Sequence, residues 1–209
     1  MYVPSRFEET RPDVMHRLVS EHPLGALVMH GAAGLDADHI PFEMSEPTPE
    51  APLGVLRAHV ARANPLWRQD GAAALVLFQG PSAYITPAFY EQKALDGKVV
   101  PTWDYAVVHA RGTLRAVDDP DWLLALMGRL TSRHESPRPA PWSVDDAPRD
   151  YIERLLKAVV GIEIVIERLE GKWKASQDHS QGDRERIAAG LAEHPHSAPM
   201  AALMRATRD

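Results

Sequence analysis

The sequence predicts an α+β protein built on an antiparallel β-sheet that forms a closed or split barrel, with helices at its ends and one helical insertion. Six or seven strand-like segments follow one another through turns, and no alternation of strand, helix and strand indicates a doubly wound sheet. The longest segment, Thr102–Val117, places small residues on one face, which suits the inside of a tight barrel.

The N-terminal half is predicted to form one helix followed by strands. Residues 12–22 have the apolar spacing of a helix. Turns at Gly31–Gly34 and Gly80-Pro81 each join two neighbouring strands. The predicted strands are Leu24–His30, Leu35–Phe42, Leu53–Val60, Ala73–Gln79 and Ser82–Thr86.

The C-terminal half alternates helices with one more strand. Asp119-Pro120 starts a helix, and Asp146-Ala147-Pro148 starts a second one that points Ile152, Leu155, Leu156 and Val159 inward. A strand is predicted at Val160–Leu169, followed by helices from Ser180 to Leu191 and over Ser197–Arg205. We therefore expect one split-barrel domain over residues 1–209, with a helical insertion at about 119–159 and a helical tail at about 180–209.

The composition excludes several classes of protein. The 209 residues include no cysteine, which rules out disulfides, thiolate metal sites and cysteine nucleophiles. The net charge of −6 and the pI of about 5.9 argue against a large DNA-binding surface. Because no membrane-spanning run and no signal peptide are visible, we expect a cytoplasmic protein without a membrane partner.

Common catalytic motifs are missing from the sequence. It has no G-x-S-x-G elbow, no P-loop and no G-x-G-x-x-G. Its ten histidines form no H-E-x-x-H and no other convincing ligand pattern. No catalytic residue and no metal site are predicted.

The segment Leu56–Arg68 contains the most informative pattern. A strand with Arg57 and His59 on one face runs into Asn64-Pro65, a favoured helix start. Arg62 and Arg68 lie on either side of that start, so the junction could hold a phosphate or another anion. An ordinary strand–helix junction with surface salt bridges remains the alternative.

Other polar and aromatic residues suggest a flat ligand. Gln79 ends an apolar strand and offers both a donor and an acceptor to a heteroaromatic ring, although it could equally cap the turn at Gly80-Pro81. Trp103 lies on an aromatic-rich strand face that suggests an interface or a ligand, although it could equally be buried packing. After the last strand, Lys172, Lys174 and Gln177 offer charge and hydrogen bonds, although a solvated turn would look the same.

Several stretches, in this order along the chain, resemble the PaiB-like FMN-binding negative transcriptional regulators, which belong to the flavin-binding split-barrel group. The stretches are Met1–Pro4, Asp38–Pro41, Ala58–Arg68, Phe78–Thr86, Val100–His109, Val160–Ile162 and Lys172–Gln177. The resemblance implies a split barrel, a homodimer, FMN at the dimer interface and a role in repressing transcription. It makes Arg57, His59, Arg62, Asn64, Arg68, Gln79, Trp103, Lys172, Lys174 and Gln177 the candidate FMN-binding residues.

Three positions depart from the pattern of that family. The family usually has Asn where this chain has Asp104 and Asp178, and His where it has Ser82. An ionised Asp cannot donate a hydrogen bond and repels phosphate, so either aspartate would lower the affinity for FMN if it lay near the phosphate.

Three functions remain open at this point. The first is a regulator that binds FMN without turnover, and it could act on DNA directly or through a regulatory protein. The second is an FMN-dependent oxidoreductase of the reductase or oxidase type, in which FMN carries the redox chemistry. The third is a haem-binding relative, for which His194 and His196 are the candidate ligands.

Overall fold

The computed structural model describes residues 1–32 and 34–207. The strands are β1 (Glu8–Glu9), β2 (Leu24–Gly31), β3 (Gly34–Pro41), β4 (Glu43–Met44), β5 (Val55–Ala61), β6 (Ala73–Ile85), β7 (Thr102–Val117) and β8 (Val159–Lys174). The helices are α1 (Pro12–Glu21), α2 (Gln92–Leu95), α3 (Pro120–Glu135), α4 (Arg149–Leu156), α5 (Gln181–Ala192) and α6 (Ala198–Ala206). Short 3-10 turns occur at Ser5–Phe7, Pro65–Gln69, Pro87–Phe89 and Val144–Asp146.

The strands form one sheet, whose hydrogen-bonded order is β3-β2-β6-β7-β8-β5-β4, with β1 added to β8. β2 and β3 form the predicted antiparallel hairpin. β5 runs antiparallel to β8, with Arg57 opposite Glu163 and His59 opposite Gly161. Ala33 of the predicted turn, and residues 208–209 of the predicted tail, lie outside the described residues.

The chain divides into two compact units. The terminal unit consists of Met1–His22, Phe78–His109 and Glu170–Asp209, and the central unit of Pro23–Leu77 and Ala110–Leu169. The prediction of a single domain with an insertion and a tail stays a prediction.

The core of the central unit is built by alternation along its strands. Leu56, Ala58 and Val60 of β5 point inward, together with Ile162 and Ile164 of β8. β7 and β8 approach very closely at Gly112, where an added Cβ would lie 2.0 Å from the carbonyl oxygen of Val165. The small residues predicted for the inner face of β7 therefore allow two backbones to pack together.

The core of the terminal unit joins strand ends to the two C-terminal helices. Its buried cluster contains Ala83, Ile85, Tyr90, Ala175, Ile187, Leu191, Met200, Ala201 and Met204. α5 begins where the sequence predicts, because the Ser180 side chain accepts a hydrogen bond from the backbone N–H of Asp183. The apolar side of this helix pair is thus fixed against the sheet.

The predicted turn at Gly80-Pro81 is wrong, because β6 is continuous from Ala73 to Ile85. The buried positions shift by one residue between Phe78 and Ala83, as they do at a β-bulge. Glycine and proline are typical of both turns and bulges, so this dipeptide could not distinguish the two structures.

Two further expectations need correction in the C-terminal half. The last strand does not end at Leu169 but continues to Lys174, so Lys172 and Lys174 lie in a strand and not in a turn. Leu155, predicted to point inward, is 44% exposed, whereas the next residue, Leu156, is buried. No predicted element corresponds to the four-residue α2.

Candidate functional site

The central unit contains the strand–helix junction that the sequence singles out. Arg57 and His59 share one face of β5, opposite the buried Leu56 and Ala58. The guanidinium of Arg57 donates from Nε to Oε1 of Glu163 at 2.8 Å. The positive charge of Arg57 is thus already balanced by a carboxylate of the neighbouring strand.

His59 lacks a hydrogen-bond partner at one ring nitrogen. Its Nδ1 is buried, and no described residue bonds to it. Burial lowers the pKa of His59, so the ring is neutral at pH 7 and can use Nδ1 as a donor or as an acceptor. The opposite residue on β8, Gly161, is covered by the Trp122 side chain of α3.

Arg62 is held by four hydrogen bonds within the central unit. Its Nη1 and Nη2 donate to the carboxylate of Asp118 at 2.9 and 2.6 Å. Its Nε and Nη2 also donate to the carbonyl oxygens of Lys157 and Val159. Hydrogen bonding between the two groups raises the pKa of Arg62 and lowers the pKa of Asp118.

Asn64 caps the 3-10 turn as predicted, because its side-chain oxygen accepts from the backbone N–H of Leu66 at 2.9 Å. Its amide nitrogen donates to Asp38 at 2.9 Å. Arg68 is exposed and lies over the Trp67 ring, with 5.4 Å between its Cζ and the ring centroid. The junction thus combines a well-capped turn with two arginines that are bonded to acidic residues.

The terminal unit carries an exposed surface that we call the aromatic face: Tyr2, Tyr84, Trp103, Tyr105 and Lys172. Tyr84 and Trp103 are each about half exposed, and their ring centroids lie 6.3 Å apart. The Lys172 Nζ lies 5.2 Å from the Tyr105 ring centroid and 5.8 Å from that of Tyr2. Exposed aromatic side chains in such number are typical of a binding surface.

Strand alternation places a further predicted residue beside this face. Gln79 is exposed on β6, directly after the inward-pointing Phe78. β7, which carries Trp103, lies next to β6 on one side and next to β8 on the other. Gln79, Trp103 and Lys172, which are distant in sequence, therefore lie on neighbouring strands in the same unit.

The ammonium group of Lys172 forms few bonds within the described residues. Its Nζ donates to the carbonyl oxygen of Tyr2 at 3.3 Å. An ammonium group carries three donors, and no described carboxylate forms an ion pair with this one. Lys172 can therefore still donate to an anion.

Lys174, in contrast to Lys172, forms several hydrogen bonds within the chain. Its ammonium donates to Thr102 Oγ1 at 2.5 Å, to the Trp103 carbonyl at 2.7 Å and to Asp104 Oδ1 at 3.2 Å. Ser176 Oγ donates to the other oxygen of Asp104 at 2.5 Å. All three donors of Lys174 are thus used within the chain.

The backbone at the end of this network, at Ser176 and Gln177, has an unusual conformation that side-chain hydrogen bonds stabilise. Ser176 has φ of +57°, the left-handed conformation that is unusual for a residue other than glycine, asparagine or aspartate. The Gln177 amide closes the segment by donating to the Trp173 carbonyl and accepting from Ala175 N–H. In this structure Gln177 therefore stabilises the end of β8.

The three residues that differ from the family's usual pattern lie in different environments. Asp104 is wholly buried, whereas Asp178 is 39% exposed in its side chain and Ser82 is half-buried on β6. Burial raises the pKa of Asp104, and its hydrogen bonds with Ser176 and Lys174 oppose that shift. His194 and His196, the candidate haem ligands, are exposed near the end of α5.

Sequence reasoning missed Tyr84 and Ser176. The alternation of β6 would have predicted the exposure of Tyr84 if the strand had been read as continuous. The left-handed conformation of Ser176 has no signal in the sequence, because the position carries none of the residues that favour it.

The matches to known proteins each cover most of the chain. Residues 1–168 match the family model described as "Putative FMN-binding domain". An uncharacterized protein of Emericella nidulans is 36% identical over 91% of this chain and 90% of its own length. The protease synthase and sporulation protein PAI 2 of Bacillus subtilis is 29% identical over 98% of this chain and 96% of its own.

A solved structure resembles the fold. The FAD and haem binding protein from Mycobacterium smegmatis aligns with a TM-score of 0.62 over 88% of this chain and 80% of its own, at 18% identity. That likeness concerns the fold, and it confirms the predicted α+β split barrel. The family match supports FMN as the cofactor.

Proposed function

We propose, from the premise that this chain belongs to the FMN-binding domain family, that it is a cytoplasmic FMN-binding regulator which represses transcription as a homodimer. The protein does so without catalytic turnover. Support comes from the family itself and from the Bacillus subtilis relative, whose name refers to protease synthesis and sporulation and which matches nearly the whole chain.

The aromatic face is the observation that carries this proposal. It offers flat rings for stacking and Lys172 with donors left for a phosphate. Gln79, on β6 in the same unit, adds an exposed amide for the polar edge of a ring. These donors and surfaces fit FMN. When bound, FMN supplies a redox-active ring, and the chain supplies binding and orientation.

The other seven predicted residues divide by their present bonds. Three of them form ion pairs with carboxylates of the chain, namely Arg57, Arg62 and Lys174. Two others, Asn64 and Gln177, stabilise the local backbone. His59 keeps an unsatisfied buried nitrogen, and Arg68 is exposed. We propose Gln79, Trp103 and Lys172 as the principal FMN contacts, and a role for the seven others stays a prediction.

The exposure of the aromatic face supports the homodimer. Tyr84, Trp103 and Tyr2 expose 52%, 53% and 83% of their surface, which is costly for a protein that stays monomeric. Symmetric pairing through such a surface would cover the rings and enclose a bound flavin.

Repression requires a further partner. The net charge of −6 favours action through a regulatory protein over a large direct contact with DNA.

None of the helices within residues 1–32 and 34–207 has the length and apolar character that crossing a membrane requires.

The first experiment is a spectrum of the purified protein before and after addition of FMN, followed by removal of free flavin. We expect a retained flavin band that approaches one FMN per subunit, and a dimer by light scattering. No retained flavin would contradict the proposal.

A second experiment tests regulation itself. Transcripts would be compared in a strain that lacks the gene, a strain that carries it, and a strain that carries the Lys172→Gln variant. We expect a set of transcripts to rise when the gene is lost and to fall again only with the native protein. Unchanged transcripts, or rapid NAD(P)H oxidation by the flavin-loaded protein, would favour the oxidoreductase alternative.

A further inference from the structure

The terminal unit contains a cleft of about 420 Å³ whose lining includes none of the three principal FMN contacts proposed above, although Lys174, one of the other FMN candidates, lies in its wall. We call it the Tyr90 cleft after the residue that forms one of its walls. Its volume lies within the range of sites for small molecules. Val99 and Val100 provide apolar surface, and Asp104, Asp178 and Asp183 bring three carboxylates to the lining.

Tyr90 lines this cleft with a ring that is almost wholly buried. Only 6% of the residue is exposed, and its ring stacks on that of His179 with 4.7 Å between centroids and 7° between planes. No described residue forms a hydrogen bond with its hydroxyl group. A phenol that is held this rigidly and lacks a partner is suited to bind a ligand in the cleft.

The hydrogen-bond donors of the lining are already engaged. The ammonium of Lys174 uses its three donors on Thr102, Trp103 and Asp104, and Ser176 donates to Asp104. Lys98, at the exposed rim, pairs with Asp96 at 3.4 Å. An anionic ligand would find few free donors here and three carboxylates that repel it.

Two of the three carboxylates, Asp104 and Asp178, in contrast keep free acceptor sites. Asp104 accepts two hydrogen bonds from its side-chain neighbours, whereas a carboxylate offers about four lone-pair sites. Asp178 has His179 as its ionic neighbour, at a long 3.9 Å. Asp183, unlike the other two, already accepts hydrogen bonds from Arg186, the Glu91 N–H and the Ser180 hydroxyl. All three carboxylates line the same cleft as Tyr90. Burial raises the pKa of Tyr90, and the negative charges of Asp104, Asp178 and Asp183 add to that shift.

We propose that the Tyr90 cleft binds a small organic cation, a protonated amine or a guanidinium that carries an apolar group. The cationic head donates to Asp178 and to the Tyr90 hydroxyl oxygen. The apolar part of the ligand lies against Val99 and Val100. This site is separate from the FMN contacts on the aromatic face and does not depend on them.

The test is a calorimetric titration of the FMN-saturated protein with phenethylamine, with 2-phenylethanol as a neutral ligand of similar shape. We expect saturable binding of the amine, at least about 10-fold tighter than binding of the alcohol, because only the amine can pair with a carboxylate. The flavin spectrum, recorded in the same samples, should show that FMN stays bound. A protein that retains no FMN would contradict the proposed function, and the amine titration could still be read.

Two substitutions locate the site. Asp178→Asn keeps the shape of the side chain and should weaken amine binding about 10-fold, and Tyr90→Phe, which removes only the hydroxyl group, should weaken it about threefold. Asp145→Asn makes the same chemical change at an exposed position of the central unit and should leave binding unchanged.

Four results would overturn the proposal. One is the absence of amine binding up to about 10 mM, which corresponds to negligible affinity. The second is equal affinity for amine and alcohol, and the third is release of FMN as the amine binds. Equal loss of binding in Asp145→Asn and Asp178→Asn would also place the amine outside the cleft.

Discussion

The junction in the central unit and the aromatic face in the terminal unit both carry residues that the sequence offers as FMN contacts, yet their charges are used differently. In the junction, Arg57 is paired with Glu163 and Arg62 with Asp118. On the aromatic face, Lys172 lies over tyrosine rings and donates to a backbone carbonyl. The same type of residue therefore stabilises the fold in one region and is available to a ligand in the other.

This difference bears on how basic residues near a helix start should be interpreted. A phosphate at Arg57 or Arg62 would meet a guanidinium whose charge is already shared with Glu163 or Asp118, and that carboxylate would repel it. Lys172 has no such carboxylate to release. A cation's present partners therefore say more about its role in binding than its position in a motif does.

Removing the binding groups of the aromatic face should have the largest effect. The double variant Trp103→Ala with Lys172→Gln loses a stacking surface and a cationic donor, so FMN affinity should fall about 100-fold. Titration followed by flavin fluorescence measures this. Trp142→Ala with Lys157→Gln, which alters an exposed tryptophan and an exposed lysine of the central unit, is the control. Similar losses in both double variants would remove the aromatic face from the FMN site.

The second prediction concerns a variant in which Arg57 of the junction loses its carboxylate partner and so resembles Lys172 of the aromatic face. Glu163→Gln leaves Arg57 without its anionic partner and should lower the free energy of unfolding by about 1 kcal/mol, because a partly buried ion pair becomes a hydrogen bond to a neutral amide oxygen. In exchange, added phosphate should stabilise the variant more than it stabilises the native protein. Urea denaturation with and without phosphate measures both effects.

The control for that variant is Glu153→Gln, which removes an exposed carboxylate from an i,i+4 pair with Arg149 on α4. Such pairs contribute about 0.3–0.5 kcal/mol. If the two substitutions cost the same, the Arg57–Glu163 pair would be no more than an ordinary surface pair, and the contrast with Lys172 would lose its basis.

The third prediction concerns the buried carboxylate beside the face. Because burial raises the pKa of Asp104, the folded state holds its proton at a higher pH than the unfolded chain does. Between these two pKa values the folded state binds more protons, so this group lowers stability as the pH rises through that window. Asp104→Asn removes the effect, so the variant should gain stability over the native protein as the pH rises above the ordinary pKa of an aspartic acid, 3.8.

Urea denaturation of the native protein and Asp104→Asn at several pH values checks this expectation. Asp145→Asn, at an exposed carboxylate, should show no such gain. A loss of stability in Asp104→Asn that grows with pH would mean that pairing with Lys174 outweighs the cost of burial.

Much of the fold could be predicted from local patterns. Alternation and turn residues locate the β2–β3 hairpin and set the bounds of β7 at Thr102–Val117, as the structure has them. The error at Gly80-Pro81 arose because a bulge and a turn use the same residues. Leu155 was misplaced because the helical spacing of α4 shows which residues share a face, whereas the packing around the helix decides how far that face is covered.

The candidate site was less predictable for a physical reason. Composition shows that Arg57 and Arg62 are cationic, but their partners Glu163 and Asp118 lie far along the chain and are brought close only by folding. Lys172 has an ordinary sequence environment and becomes distinctive through the tyrosines that surround it. Residue type is set locally, whereas the availability of a charge depends on tertiary contacts.

The smallest expected effect on FMN comes from the junction itself. Arg62→Ala together with Arg68→Ala should lower the melting temperature, because Arg62 bridges Asp118 and two backbone carbonyls. FMN affinity should change less than about threefold, since Arg62 is already bonded within the chain and Arg68 is exposed to solvent. A flavin titration of the folded variant measures the affinity, and Arg68→Ala alone separates the two arginines. A loss of 10-fold or more, roughly one charged contact to phosphate, would return the phosphate to the junction and reverse the assignment of the two regions.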